Sequence, residues 1–317
     1  MSTPSSTFTE MVSTTLRQHN KEMADSVSKH NALWNRLDKK KLIEKIDGGY
    51  EIVEPIMYAE NSTYQRYSGF ELLNINQSDV ITSAKFDWKQ SVVNIVASGL
   101  ELRNNSGKNA MIKLAKAKMK VAKQTFSNNI NADLHSDGTA DGGKQIGGLE
   151  ALLTSDGTGT YGGINAGNFT FWKNQFQDGN TATSATIRGK MKALWLATCR
   201  GTDKTDLIIS STDLFSLYWD SLTDLQRFTQ ADEADTGFDS IKFMSADVVH
   251  ETSESGISAN RMNFLNTDYL KLVVHKDAFM TVADEKSSAN QDGVVIPILF
   301  QGNLVCSNRA RQGLLFD

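Results

Sequence analysis

The sequence predicts an α+β protein on three observations. The hydrophobic period changes along the chain from a helical three-and-four spacing to strict alternation and back. A glycine-rich middle separates one long helical run from a helix–strand–helix unit, and the last third reads almost wholly as strands. Composition agrees with a globular chain: 317 residues, 33 basic and 37 acidic side chains, net charge −4, and 39% hydrophobic content. These figures exclude a collagen, a disordered tail and a strongly basic nucleic-acid binder, and at roughly 150 residues per domain they suggest about two compact units.

The elements follow in order. Val12, Leu16, His19, Met23, Val27, His30, Trp34 and Leu37 recur at alternating spacings of three and four, which predicts an amphipathic helical arm with its histidines packed on the apolar face. Next, Val80, Ala84, Phe86 and Trp88 alternate with Lys85, Asp87 and Lys89. Segments 50–59 and 78–97 therefore read as the two strands of a long hairpin. A lone hairpin is marginally stable in water, so this one needs a surface to lie on, such as another subunit's. Phe86 and Trp88 are its expected intersubunit contacts.

A long helix follows over 108–130, with Ile112, Ala115, Met119, Ala122 and Phe126 on one stripe. Lys113, Lys116, Lys120 and Lys123 form a basic edge beside it. Six lysines, counting Lys108 and Lys118, occur here with no acid among them, so helical Glu–Lys pairing is absent. Ten of the 23 glycines then fall between 138 and 167, which predicts a structured loop region. After it, Ile187, Met191, Leu194, Trp195 and Cys199 predict a helix, 206–210 a strand and 213–222 a second helix. The stretch 220–254 carries nine acids against Arg227 and Lys242. Strands are expected at 270–275, 279–283, 294–300 and 304–307. Pro297, one of three prolines, argues that its strand lies at an edge or carries a bulge.

Motif tests for chemistry are negative. The segment 138–144 fits seven positions of a phosphate-binding loop, but Gln145 stands where magnesium needs a hydroxyl. Asp133, His135 and Asp137 open like a calcium loop, but Lys144 replaces the bidentate glutamate at its end. The other histidines lack metal spacing, and no nucleophile elbow occurs. Cys199 and Cys306 lie far apart and read as buried free thiols. No catalytic, cofactor or metal residues are assigned. The N-terminus lacks a signal peptide, and runs such as 294–300 are too short to cross a bilayer, so a cytoplasm-like setting and no membrane partner are expected.

Several stretches are nevertheless familiar: SDGT at 136–139, QIGGLEALL at 145–153, TYGGIN at 160–165, NRMNFLNTDYLKLVVH at 260–275 and GNLVCSNRARQGLL at 302–315. The last resembles the C-terminal strand of major capsid proteins of tailed bacteriophages, the family with the Hong Kong 97 phage capsid fold. The order of elements is similar over almost the whole chain.

That resemblance implies an N-terminal arm over 1–48, an extended β-hairpin loop over 49–104 and a spine helix over 105–134. It also implies a peripheral domain made of 105–180 with 280–317, and an axial domain over 181–279. It implies a structural, non-enzymatic protein that assembles with itself into pentamers and hexamers of an icosahedral head shell around double-stranded DNA. The expected partners are a portal protein, a separate scaffolding protein and a decoration protein, with assembly in the host cytoplasm. Lys113, Lys116, Lys120 and Lys123 would face the lumen and meet DNA phosphates or scaffold, or pair with the acidic stretch of a neighbour. The competing expectations are an encapsulin-type compartment shell and a carbohydrate-active hydrolase using pairs such as Asp232 and Glu233.

Overall fold

The computed structural model describes residues 31–104, 108–178, 182–222, 240–287 and 291–317. Two mixed sheets organise it. One is built on two long antiparallel strands, β12 (Leu270–Val282) and β14 (Gly293–Cys306). To these the chain adds β1 (Ile43–Ile46), parallel to β12, and β4 (Lys89–Ser98), paired along β14 from Lys89 opposite Gly302 to Ser98 opposite Gly293. A short β13 (Lys286–Ser287) pairs with Val294 and Val295. The predicted strands of the last third are thus merged into two.

Pro297 does not mark an edge, because β14 is paired on both sides. It sits where the flank of β14 passes from β12, at Ile298 opposite Val282, to β13, at Val295 opposite Lys286. The missing N–H falls in that gap, while the proline carbonyl accepts from Ala283 N at 2.9 Å.

The second sheet has six strands in the order β7 (Gln175–Asp178), β15 (Gly313–Phe316), β11 (Arg261–Leu265), β8 (Leu207–Ser211), β10 (Ala246–Glu251) and β9 (Ser240–Phe243). Alternation along its strands divides two cores. Ile208, Val248, Met262, Phe264 and Leu315 face the helices Ile187–Thr198 and Thr212–Ser221, while Leu207, Ile209, Val249, Leu265 and Leu314 face the larger core of the other sheet. Sheet membership cuts across the expected domain limits: 175–178 and 313–316 lie in the six-stranded sheet, and β12 continues past position 279, its pairing with β14 shifting register on either side of Phe279.

Helix α1 (Ala32–Lys39) begins at an N-cap. Asn31 has extended backbone, φ −130° and ψ 113°, and its side chain accepts from Trp34 N at 2.8 Å. The helical period read through this point in the sequence is therefore interrupted at Asn31; residues 1–30, with His19 and His30, lie outside the described residues. After α2 (Gly99–Asn104), helix α3 (Lys108–His135) runs 28 residues, about 42 Å at 1.5 Å per residue. Its buried stripe is Ala122, Phe126, Ile130 and Leu134, four residues apart, with the Phe126 ring 6.1 Å from Phe300 of β14. A short turn of helix, α4 (Leu149–Leu152), is packed against the end of α3 so closely that a Cβ on Gly148 would lie 2.4 Å from Leu134 O.

Candidate functional site

Among the described residues, the projecting hairpin carries the largest group of exposed apolar side chains. β2 (Ile52–Met57) pairs antiparallel with β3 (Ile81–Phe86), Ile52 opposite Phe86. The hairpin is shorter than expected: past Asp87 the second strand leaves it and becomes β4, paired with β14 instead. One face, Ile52, Ile56, Ala84 and Phe86, is buried, and the other exposes Val53, Met57 and Ile81.

The root of the hairpin lies on the glycine-rich region of its own chain. The Phe86 ring meets Tyr161 edge-on at 5.1 Å, Tyr58 stacks on Phe171 at 5.3 Å, and Lys85 N donates to Gly162 O at 2.9 Å. Gly162 and Gly163, both with positive φ (58° and 73°), turn a two-residue hairpin between β5 (Thr160–Tyr161) and β6 (Ile164–Asn165). A Cβ on Gly162 would meet Phe86 Cζ at 2.8 Å and the Ala84 Cβ at 2.9 Å, so this glycine allows the contact. Trp88 is also engaged within the chain: its Nε1 donates to Gly49 O at 2.9 Å and its ring meets His275 at 6.0 Å. The two aromatics expected at a neighbour are thus placed against their own subunit. The apolar residues left exposed lie farther out, at Tyr64, Tyr67, Phe70, Leu72 and Ile75. That tip is closed by polar bonds, Gln65 Nε2 to Leu72 O and Asn74 N to Gln65 Oε1, each 2.9 Å, while its apolar side chains face water.

The described lysines of α3 divide into one that is paired within the chain and others that are not. Lys118 bonds Glu101 Oε2 of α2 at 2.5 Å and Val96 O of β4 at 2.7 Å, so it holds the helix to the sheet. Lys120 is exposed and Lys123 half-buried, and neither has an ion pair or hydrogen bond among the described residues. The side chains of Lys113 and Lys116 lie outside the described residues. Of the acidic stretch, Asp247 takes Arg36 at 2.9 Å and Glu251 takes His135 Nε2 at 2.8 Å, both inside the subunit. Asp224, Asp232, Glu233, Asp235 and Asp239 lie outside the described residues.

The rejected motifs stay apart in space. The Gly143 carbonyl, within the phosphate-loop-like segment, accepts from Lys89 Nζ at 2.6 Å, a polarity opposite to that of an anion cradle. Asp133 holds Gln145, Asp137 caps Thr139 and His135 faces Glu251, so the three do not converge on a cation.

Pattern reading missed the buried arginine Arg309. Its guanidinium reaches Leu152 O (2.6 Å), Thr158 O (3.0 Å) and Thr154 Oγ1 (3.2 Å), pinning the turn after α4. It falls inside the familiar stretch 302–315, where nothing local distinguished it from Arg311. Arg36, on the polar side of α1, was missed as well.

No protein-family model and no curated protein matches the sequence. Solved structures do. A cyanophage A-1(L) capsid asymmetric unit superposes with a TM-score of 0.64 at 17% identity, over 88% of this chain and 90% of that one. A structure from Mycobacterium phage Bobi gives 0.55 at 9% identity over 87% and 89%. The capsid of an empty GTA particle gives 0.54 at 12% over 87% and 88%. At such low identities the likeness shows the fold alone, and with its projecting hairpin, long helix and two sheets this chain has the Hong Kong 97 phage-type capsid fold.

Proposed function

We propose that this chain is the major capsid protein of a tailed phage, a structural protein that assembles with itself into hexamers and pentamers of an icosahedral head shell around double-stranded DNA. The supporting observation is the hairpin: its root is fixed on its own subunit, while its tip holds Tyr64, Phe70, Leu72 and Ile75 in water. An exposed apolar tip on a firm base suits a head-to-tail contact, and contacts of that type close into rings. The division into arm (1–48), hairpin loop (49–104), peripheral domain and axial domain belongs to this reading, with β7 and β15 joining the axial sheet. So do the portal, a separate scaffolding protein, a decoration protein, the virion as location and the host cytoplasm as the place of assembly.

Lys120 and Lys123, with Lys113 and Lys116, are proposed to face DNA, scaffold or a neighbour's acids. Electron microscopy of the purified protein, with and without co-expressed scaffold, tests the reading. Uniform icosahedral particles are expected, and a persistent monomer in both conditions would refute it. Nuclease-resistant nucleic acid inside particles from infected cells separates a phage head from an encapsulin-type compartment, which would hold protein cargo.

A further inference from the structure

Helix α1 touches both sheets with different chemistry on its two sides. Its apolar side belongs to the five-stranded sheet: Leu33, Trp34 and Leu37 are buried, and the Trp34 ring stacks on Phe279 of β12 at 6.1 Å and 8° and lies 6.4 Å from Phe300 of β14. Immediately after it, β1 joins that same sheet. Its polar side belongs to the six-stranded sheet. Arg36 Nη2 donates to Asp247 Oδ2 of β10 and to Asp206 O, each at 2.9 Å, and Lys40 Nζ pairs with Asp206 at 2.9 Å and with Asp268 at 2.7 Å. Thr267 completes the Asp206 site, donating through N at 2.7 Å and Oγ1 at 2.6 Å. At the start of the helix, Ala32 N donates to Glu251 Oε1 at 3.2 Å, and the other oxygen of that carboxylate faces His135, the last residue of α3. A buried carboxylate at the N-terminus of α1 suits the positive end of that helix's dipole.

We infer that α1 is a clamp that fixes the angle between the two sheets, its apolar side holding one and its Arg36–Lys40 side the other. The ionic half is the releasable one: partly exposed ion pairs exchange with water, whereas a buried tryptophan stack does not. Within the shell reading, that angle is the curvature each subunit contributes, and releasing the clamp widens the range of shell sizes. The clamp itself does not depend on that reading.

The test places spin labels at V96C, exposed on β4, and L196C, exposed on the helix over the six-stranded sheet, in a C199S background. Cys306, fully buried, stays unlabelled. Distances are measured on dilute, unassembled protein for the parent, R36Q/K40Q and the milder D247N. The expected result is a single narrow distribution in the parent, broadened about twofold or split in R36Q/K40Q and less so in D247N, with unchanged far-ultraviolet circular dichroism. A parent-like distribution in both variants would overturn the clamp. If R36Q/K40Q does not fold, D247N decides on the same criterion. Particle diameters are scored separately by microscopy, so failure to form shells bears on the proposed function and not on the clamp.

Discussion

At the residue scale, three side chains carry measurable consequences. Arg309 is fully buried and donates to the carbonyls of Leu152, Thr158 and Gly159 and to the Thr154 hydroxyl, so Arg309→Met removes the donors but keeps the bulk. Leaving buried acceptors unmet costs about 1–3 kcal/mol apiece, and a loss of roughly 3 kcal/mol or more is expected in urea unfolding. Burial pushes the Cys306 thiol up to about 12. A thiol-specific reagent should therefore modify no more than Cys199 in the native protein, and both cysteines once it is unfolded. Burial alone would raise the Asp206 carboxyl, but hydrogen bonds from Thr267 and Lys40 outweigh it and hold the group below its usual range. A carboxylate depressed in the folded state contributes stability above its unfolded value, about 3.9, and loses that contribution as the pH falls through the lower folded value. The stability gap between the wild type and D206N should accordingly be level from about pH 5 to pH 9 and shrink below about pH 4.

At the element scale, Gly162 decides where the hairpin sits. Gly162→Ala combines a left-handed backbone, which costs a non-glycine residue about 1–2 kcal/mol, with Cβ contacts under 3.0 Å to Phe86 and Ala84. Hydrogen exchange should rise across 81–86 and 160–166 while α3 stays protected; an unchanged pattern would mean that the root is not held there. The same element shows what the sequence could and could not reveal. Alternation through Ala84, Phe86 and Trp88 marked strand correctly, because period two depends only on which face is buried. It could not show that β3 ends at Phe86 and that β4 turns to β14, since the pairing partners Lys89 and Gly302 are more than two hundred positions apart and both strands share one period. The stripe of α3 was legible at Met119, Ala122 and Phe126 for a similar local reason, the side chains of Ile112 and Ala115 lying outside the described residues. The break at Asn31 was not read, although asparagine before a helical run is a cap signal, because the three-and-four spacing continues across it. Arg309 and Arg36 were invisible for a different reason: their roles come from carbonyls and carboxylates that only the folded chain gathers.

At the scale of the whole molecule, the hairpin separates stability from assembly, and paired substitutions can tell them apart. Phe86 is buried against Tyr161, so Phe86→Ala should cost the isolated subunit about 3–5 kcal/mol. Phe70 and Leu72 are almost wholly exposed, so F70S/L72S removes apolar surface that the monomer never buries and should leave its melting temperature within about 1 °C of the parent's. If the tip is the contact between copies, the same double substitution should prevent shells from forming at concentrations where the parent assembles, as read by sedimentation velocity and microscopy. Shells formed as readily as by the parent would remove the tip from the interface. The lysines of α3 add an independent arm. K120Q/K123Q alters side chains without a described intrachain ion pair, so the folded subunit should be indifferent to it. The salt dependence of assembly or of DNA packaging should weaken if these lysines meet phosphates or acids across an interface, because each neutralised contact contributes to that slope. A tip variant that folds but does not assemble, beside a lysine variant that assembles with a flatter salt response, would assign adhesion to the hairpin and charge recognition to the helix. Both would then rest on a subunit whose internal contacts are already complete at Phe86, Trp88 and Lys118.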